Sequence, residues 1–229
     1  MLSLKHLEPF GVGGRRMCFV HPDDPKKCVK VLRTDDRRTI RVKQKGLSLP
    51  AAWRRDYDNN AHEKLILENL EKRIGLVMAE HLPRCYGTQP TDLGAGLVLD
   101  LIRDEDGAIS RSLRELITMG YDISKLRPSF EAFGRFLSAH LILTRSLLDH
   151  NLVVSMRSDG PGSIYMIDGL GDPAWLPLAR WIPALGRAKI ARRMDDAWDR
   201  FEKFAAKGGV SAELRSNSTW DQGILRHRG

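Results

Sequence analysis

No apolar run in this chain approaches the ~20 residues a membrane-spanning helix needs. The most apolar late stretch, Trp175 to Leu185, is broken by Pro177, Arg180 and Pro183. The first residues lack the charged, apolar, small-residue order of a secretory signal, so a cytoplasmic protein with no membrane span is the expectation. Cysteine is scarce: Cys18, Cys28 and Cys85 form no CxxC pair and no Cys/His metal spacing. Reduced, inert thiols that behave as small hydrophobes are expected. No GxxxxGK[ST] loop, internal repeat, helix-turn-helix or zinc-finger pattern occurs.

What is present is a real apolar fraction and an uneven positive charge. Hydrophobic residues make up 42% of the 229, enough for one large domain or two small lobes sharing a cleft. The net charge is +8, and residues 33–56 carry eight basic against three acidic side chains. Such a cluster attracts polyanions by counterion release. Trp53 is its only aromatic for stacking bases, so a solvated basic insertion is the reading adopted and nucleic acid is disfavoured as a partner.

Along the chain the first 32 residues read as strands. A glycine turn at Phe10-Gly-Val-Gly-Gly precedes the β-prone runs Met17–Val20 and Cys28–Leu32, with His21-Pro-Asp-Asp-Pro as the turn between them. After the basic insertion a helix begins near Asn59, with Leu65, Leu67, Leu70 and Ile74 on its apolar side and Gly75 closing it. Two short strands follow, near Cys85 and over Gly94 to Ile102, and then a polar turn at Arg103-Asp-Glu-Asp-Gly. Ser112 with Glu115 fits a capping box. Pro128 suits a first helical turn, and Phe130, Phe133, Phe136, Leu137, His140, Leu141, Leu147 and Leu148 recur at the spacing of one long amphipathic helix. Leu152-Val-Val and Ile164-Tyr-Met-Ile are expected to pair across a turn at 158–162. A last helix is expected over Ala188 to Ala206, followed by a polar tail over 208–229.

Four positions carry chemistry. Gly11-Val-Gly13-Gly14 lets backbone N–H groups approach phosphate oxygens, because no Cβ intervenes. Lys30 lies 19 residues after Gly11, and strand alternation puts Val29 and Val31 on the face opposite it. Glu63, near the start of the helix, can fix the Lys30 ammonium; Glu68 is the competing carboxylate. Asp168 ends an apolar strand beside Gly169, a placement suited to holding Mg²⁺ against phosphate oxygens.

Glycine loop, strand lysine, helix glutamate, connector, long helix and strand–Asp-Gly follow the order of the protein kinase fold. More closely, Gly11-x-Gly13, Arg16-x-Cys18-Phe19, His21-Pro22, Cys28-x-Lys30, Leu147-Leu-Asp-x-Asn-Leu-Val153 and Leu176-Pro-Leu-Ala-x-Trp181 resemble the YrbL family of PhoP-network proteins. The resemblance implies an α+β, bilobal protein-kinase-like fold. A small β-rich N-lobe would span residues 1–102, with the insertion and a C helix, and a mostly helical C-lobe residues 103–207. It implies ATP and Mg²⁺ as cofactors. Gly11, Gly13 and Gly14 would cover the phosphates, Lys30 contact them, and Glu63 pair with Lys30. Cys18 would roof the adenine, Leu99, Asp100 and Leu101 form the hinge, and Asp168 hold the metal.

The departures fall in the catalytic loop. The position of the kinase catalytic Asp is Met156 and that of the metal-binding Asn is Pro161, with only 12 positions from Met156 to Asp168. Ser155 and Asp159 are the possible substitutes. Phosphoryl transfer depends on positioning and electrostatics, so losing both groups impairs it severely. The expectation is a nucleotide-binding pseudokinase, or a weak atypical phosphotransferase acting on an unknown protein or small molecule. The alternative is a nucleotide-independent interaction protein using the basic insertion.

Overall fold

The computed structural model describes residues 1–13, 15–33, 58–144, 147–170 and 182–208. Gly14, the insertion beyond Arg33, the Leu176–Trp181 motif and the tail beyond Gly208 lie outside the described residues. The chain is α+β and divides into two compact units, the first including Met1–Asn69 and Arg84–Leu101, the second Leu70–Pro83 and Ile102–Ser216. The first carries the five-stranded sheet, and the second is mainly helical.

In the first unit, β1 (Gly11–Val12), β2 (Arg16–His21), β3 (Asp24–Leu32), β4 (Cys85–Thr91) and β5 (Gly94–Asp100) form an antiparallel sheet in the order β1-β2-β3-β5-β4. The β2–β3 turn is tighter than expected. His21 pairs with Asp24, so only Pro22 and Asp23 turn the chain, and Pro25 lies within the strand. Period-2 alternation sends Phe19, Val29, Val31 and Val98 to one face, where they form a buried cluster with Leu4. Asp92 ties the N-terminal segment to this sheet by accepting the Leu4 N–H at 2.7 Å.

Gly96 faces that cluster, and a Cβ there would overlap Val29 Cγ1. Val29 is fully buried, so its side chain has no room to move aside. Gly96→Ala is therefore expected to destabilise the first unit by about 1–3 kcal/mol, the usual cost of overpacking a filled core, as read by denaturant unfolding.

α1 (Asn59–Ile74) starts where the Asp58 carboxylate accepts the N–H groups of Asn60 (2.9 Å) and Ala61 (3.1 Å), satisfying two otherwise orphaned donors. It ends at Gly75, whose φ of +66° favours glycine. Its buried side corrects the sequence expectation: Leu67 and Leu70 are buried, but Leu65 is 57% exposed. The inner face runs Asn60, Glu63, Leu67, Leu70, so its first two members are polar.

The second unit contains β6 (Arg111–Ser112), α2 (Leu113–Thr118), α3 (Arg127–Ala139), β7 (Leu152–Arg157), β8 (Gly160–Met166) and α4 (Pro183–Ala206). Both halves of the Ser112/Glu115 capping box are formed at α2. α4 starts five residues before the expected Ala188, with Pro183 in its first turn. Phe130 and Phe133 of α3 and Trp198 and Phe201 of α4 are buried, and the Phe130 and Phe201 rings meet edge to face at 5.6 Å.

α3 is shorter than the apolar spacing suggests. It stops at Ala139, and Leu141 takes a left-handed φ of 47° while the Ile142 N–H donates to the Leu137 carbonyl at 2.9 Å. That is the Schellman termination, made here by leucine in the position usually held by glycine. Ile142, Leu143 and Leu147 are buried beyond the helix, which is why their spacing imitates its continuation.

Asp149 is buried and accepts the Arg114 Nε–H at 2.8 Å, with His150 Nδ1 3.4 Å away. Burial pushes its carboxyl up, but the bonds from His150 and Arg114 outweigh this and hold it below the ordinary carboxylate range. A lowered folded value means stability present above the unfolded pKa of about 3.9 and lost as pH falls through the folded value. Asp149→Asn is expected to cost about 1–3 kcal/mol at pH 7, with the difference from the unaltered protein shrinking below about pH 4. Denaturant unfolding across that pH range checks it. Among the described residues no helix is long and apolar enough to cross a membrane.

Candidate functional site

The register of the first sheet sets Gly11, Cys18, Lys30 and Leu97 side by side across β1, β2, β3 and β5. Alternation puts this row on the face opposite the Leu4–Phe19–Val29 cluster. Two residues along, a parallel row holds Val20, Cys28, Leu99 and Cys85. The same face thus carries the glycine-strand residue, the lysine, all three cysteines and Leu99.

Lys30 is buried on that face, and its Nζ lies 2.8 Å from Glu63 Oε1. Of the two carboxylates weighed from sequence, Glu63 is the partner; Glu68 pairs with Lys64 at 2.7 Å on the same helix. The second Glu63 oxygen, Oε2, accepts from Arg16 Nη1. Arg16 Nη1 also reaches Asn60 Oδ1 at 3.4 Å, and the Asn60 amide donates to the Lys30 carbonyl at 2.8 Å. Arg16, Lys30, Asn60 and Glu63 are all buried. The polar inner face of α1 is therefore what sets its rotation, since turning Leu65 inward would take Glu63 away from both cations.

The glycine turn is fastened by Arg16 of β2 and by Arg33, the residue after β3. The Gly13 N–H donates to the Arg16 carbonyl at 2.8 Å, Arg33 Nη1 donates to the Gly13 carbonyl at 3.0 Å, and the Arg33 N–H donates to the Arg15 carbonyl at 2.9 Å. Neither backbone nor packing demands glycine at position 13. Its φ is not left-handed, and a Cβ would meet Arg16 O no closer than 3.6 Å. The missing side chain instead leaves the backbone open to an incoming group.

Of the three residues expected to form a hinge, Leu99 pairs on both sides, with Cys28 and Cys85. Asp100 accepts from the Arg84 N–H and the Tyr86 hydroxyl, both at 2.9 Å, while the Leu101 N–H donates to the Lys26 carbonyl at 2.9 Å. Burial pushes the Cys28 thiol up to about 12, and burial also raises Cys85. Neither forms a reactive thiolate at neutral pH.

In the second unit Met156 lies on β7 and pairs with Pro161, while Arg157 pairs with Gly160. Only Ser158 and Asp159 connect the strands, so β7 and β8 form a hairpin with a two-residue turn. Asp104 Oδ1 accepts the Met156 N–H at 2.8 Å, and the Ser155 hydroxyl donates to the Arg103 carbonyl at 2.9 Å. Asp159 is exposed at the turn. Asp168 follows β8 and is exposed; its Oδ1 accepts the Gly169 N–H at 2.7 Å, with Gly169 at φ +88°.

Among the described residues no group of three or more His, Cys, Asp or Glu side chains is placed to hold a metal. Mg²⁺ at phosphate sites takes one or two carboxylates plus the phosphates themselves, so Asp168 fits an ion that arrives with a nucleotide and not one caged by protein alone.

Sequence reasoning missed Arg16, Asn60 and Arg33 as parts of the site. Arg16 stands two residues before Cys18, so alternation puts it on the face of Lys30, but this can be read only once the β2–β3 register is known.

A family model described as PhoP regulatory network protein YrbL matches residues 2–203. The chain is 29% identical over 204 residues to YrbL of Escherichia coli (strain K12), covering 88% of this chain and 86% of the relative, and to the same degree to YrbL of Shigella flexneri. Among solved structures, the Mycobacterium tuberculosis PknI kinase domain aligns over 69% of this chain and 56% of its own, with 13% identity and a TM-score of 0.39. The family match spans both units, and on it the chain belongs to the YrbL family of PhoP regulatory network proteins.

Proposed function

We propose that this chain binds an adenine nucleotide on the lysine face of its first sheet and transfers the phosphoryl group poorly or not at all. It would act as a pseudokinase in a PhoP- and Mg²⁺-linked bacterial network. The observation that carries the reading is the buried Lys30–Glu63 pair in register with Gly11. A buried lysine held by a carboxylate is costly to maintain for stability alone, whereas it is ready-made for α- and β-phosphate charge.

In this reading Gly11 and Gly13 cover the phosphates, Cys18 and Leu99 flank the base, and Asp168 is the residue that meets Mg²⁺. Bound Mg²⁺ would neutralise phosphate charge. The two-residue hairpin after Met156 supports weak or absent transfer, because neither Ser155 nor Asp159 is placed as a base by any contact described above.

Calorimetric titration with ATP, with and without Mg²⁺, tests the reading, together with Asp168→Ala and an assay for ADP formation. Expected are binding that strengthens with Mg²⁺, loss of that strengthening in Asp168→Ala, and little ADP. No binding at about 1 mM ATP would remove the reading and leave a nucleotide-independent interaction protein.

A further inference from the structure

Glu63 has two oxygens and gives them to different cations: Oε1 to Lys30 Nζ at 2.8 Å, Oε2 to Arg16 Nη1. The two cations come from neighbouring strands on one sheet face, Arg16 standing diagonally across from Lys30 in the β2–β3 register. They are not held alike. The Arg16 guanidinium spans two helix residues three apart, Glu63 and Asn60. A guanidinium stays charged and is pre-organised, and one whose Nη1 is shared by two side chains of the same helix has little freedom to leave. An ammonium on a four-carbon stem is a compact charge that can turn between acceptors.

We propose that Arg16 is the fixed counter-ion of Glu63 and Lys30 the exchangeable one, so that Lys30 can turn to a phosphate group without leaving Glu63 unpaired. Resting on the nucleotide reading, this makes Arg16 a positioning residue, not a ligand contact. The consequence is a lysine pre-arranged for phosphate at small cost. A buried carboxylate deprived of its only counter-ion would oppose the exchange, and Arg16 removes that opposition. The Asn60 amide, bonded to the Lys30 carbonyl at 2.8 Å, keeps strand and helix in place while the ammonium moves.

The proposal fixes the sign of an effect that a merely structural role would reverse. With Arg16 gone, the carboxylate holds the Lys30 ammonium more firmly and a neighbouring positive charge is lost, so Lys30 is less often a free amine. If Arg16 only supported the fold, removing it would loosen the site and expose Lys30.

The experiment is acetylation of the ligand-free protein with acetic anhydride at one alkaline pH, read lysine by lysine by peptide mass mapping. It compares the unaltered chain with Arg16→Met and Arg16→Lys, alongside titrations with ADP and adenosine. Expected in Arg16→Met are Lys30 labelling lower by several-fold, on the order of fivefold, and ADP affinity weaker by about tenfold with adenosine unchanged. Arg16→Lys should restore most of both. Labelling of Lys30 that is unchanged or higher in Arg16→Met would overturn the proposal.

Should Arg16→Met fail to fold, as judged by thermal unfolding, Arg16→Gln keeps a donor without the charge and decides by the same readout. If the unaltered chain binds neither ADP nor adenosine, the nucleotide reading fails, and the labelling alone decides the role of Arg16.

Discussion

Glu63→Leu is expected to lower the stability of the first unit by about 3–5 kcal/mol, the usual cost of removing one partner from a buried charged network. Its carboxylate is shared by Lys30 and Arg16, and both cations are buried. Lys30→Met removes a cation but leaves the Arg16–Glu63 pair, so its expected cost is smaller, about 1–2 kcal/mol. The order of the two losses is the informative part. Denaturant unfolding, with hydrogen exchange at Val29 and Val31 to localise the effect, should show Glu63→Leu clearly the worse. Equal costs would mean that the two cations do not depend on one carboxylate.

Lys30→Ala is expected to weaken ATP binding by about 10- to 100-fold, since a hydrogen bond to a charged group contributes about 1.5–3 kcal/mol. Adenosine has no phosphate for the lysine to meet, so its affinity should stay within about twofold of the unaltered chain. The contrast separates a phosphate contact from a general loosening of the sheet face. Comparative calorimetry with the two ligands reads it directly, and parallel losses for ATP and adenosine would point to loosening.

The strands of the first unit were legible because β-prone runs and turn residues agree with the pairing that forms. Lys30 and Glu63 were legible for a different reason: a glycine turn, a strand lysine and a helix carboxylate follow one another in a recognisable order. The rotation of α1 was not legible. Hydrophobic periodicity counts Leu65 as inward, while the helix buries Asn60 and Glu63 and leaves Leu65 exposed, because buried charge pairing outweighs one leucine.

The end of α3 was hidden for a similar reason. A Schellman stop is signalled by glycine, and here Leu141 takes the left-handed position while Ile142 and Leu143 remain buried. Spacing alone said nothing of how Met156 and Pro161 stand to each other; only pairing places them opposite one another in a hairpin. Arg16 went unassigned because one arginine on a strand carries no signal until its neighbour across the register is known.

The central claim is that a nucleotide lies with its phosphates at Lys30. An ATP analogue carrying an acyl phosphate transfers its acyl group to an amine close to the terminal phosphate, and peptide mass mapping finds which lysine received it. Incubation of the full chain with such a probe, with and without excess ATP, should label Lys30 above the other lysines, and ATP should suppress that label. Labelling spread over exposed lysines, or a Lys30 label indifferent to ATP, would contradict the claim.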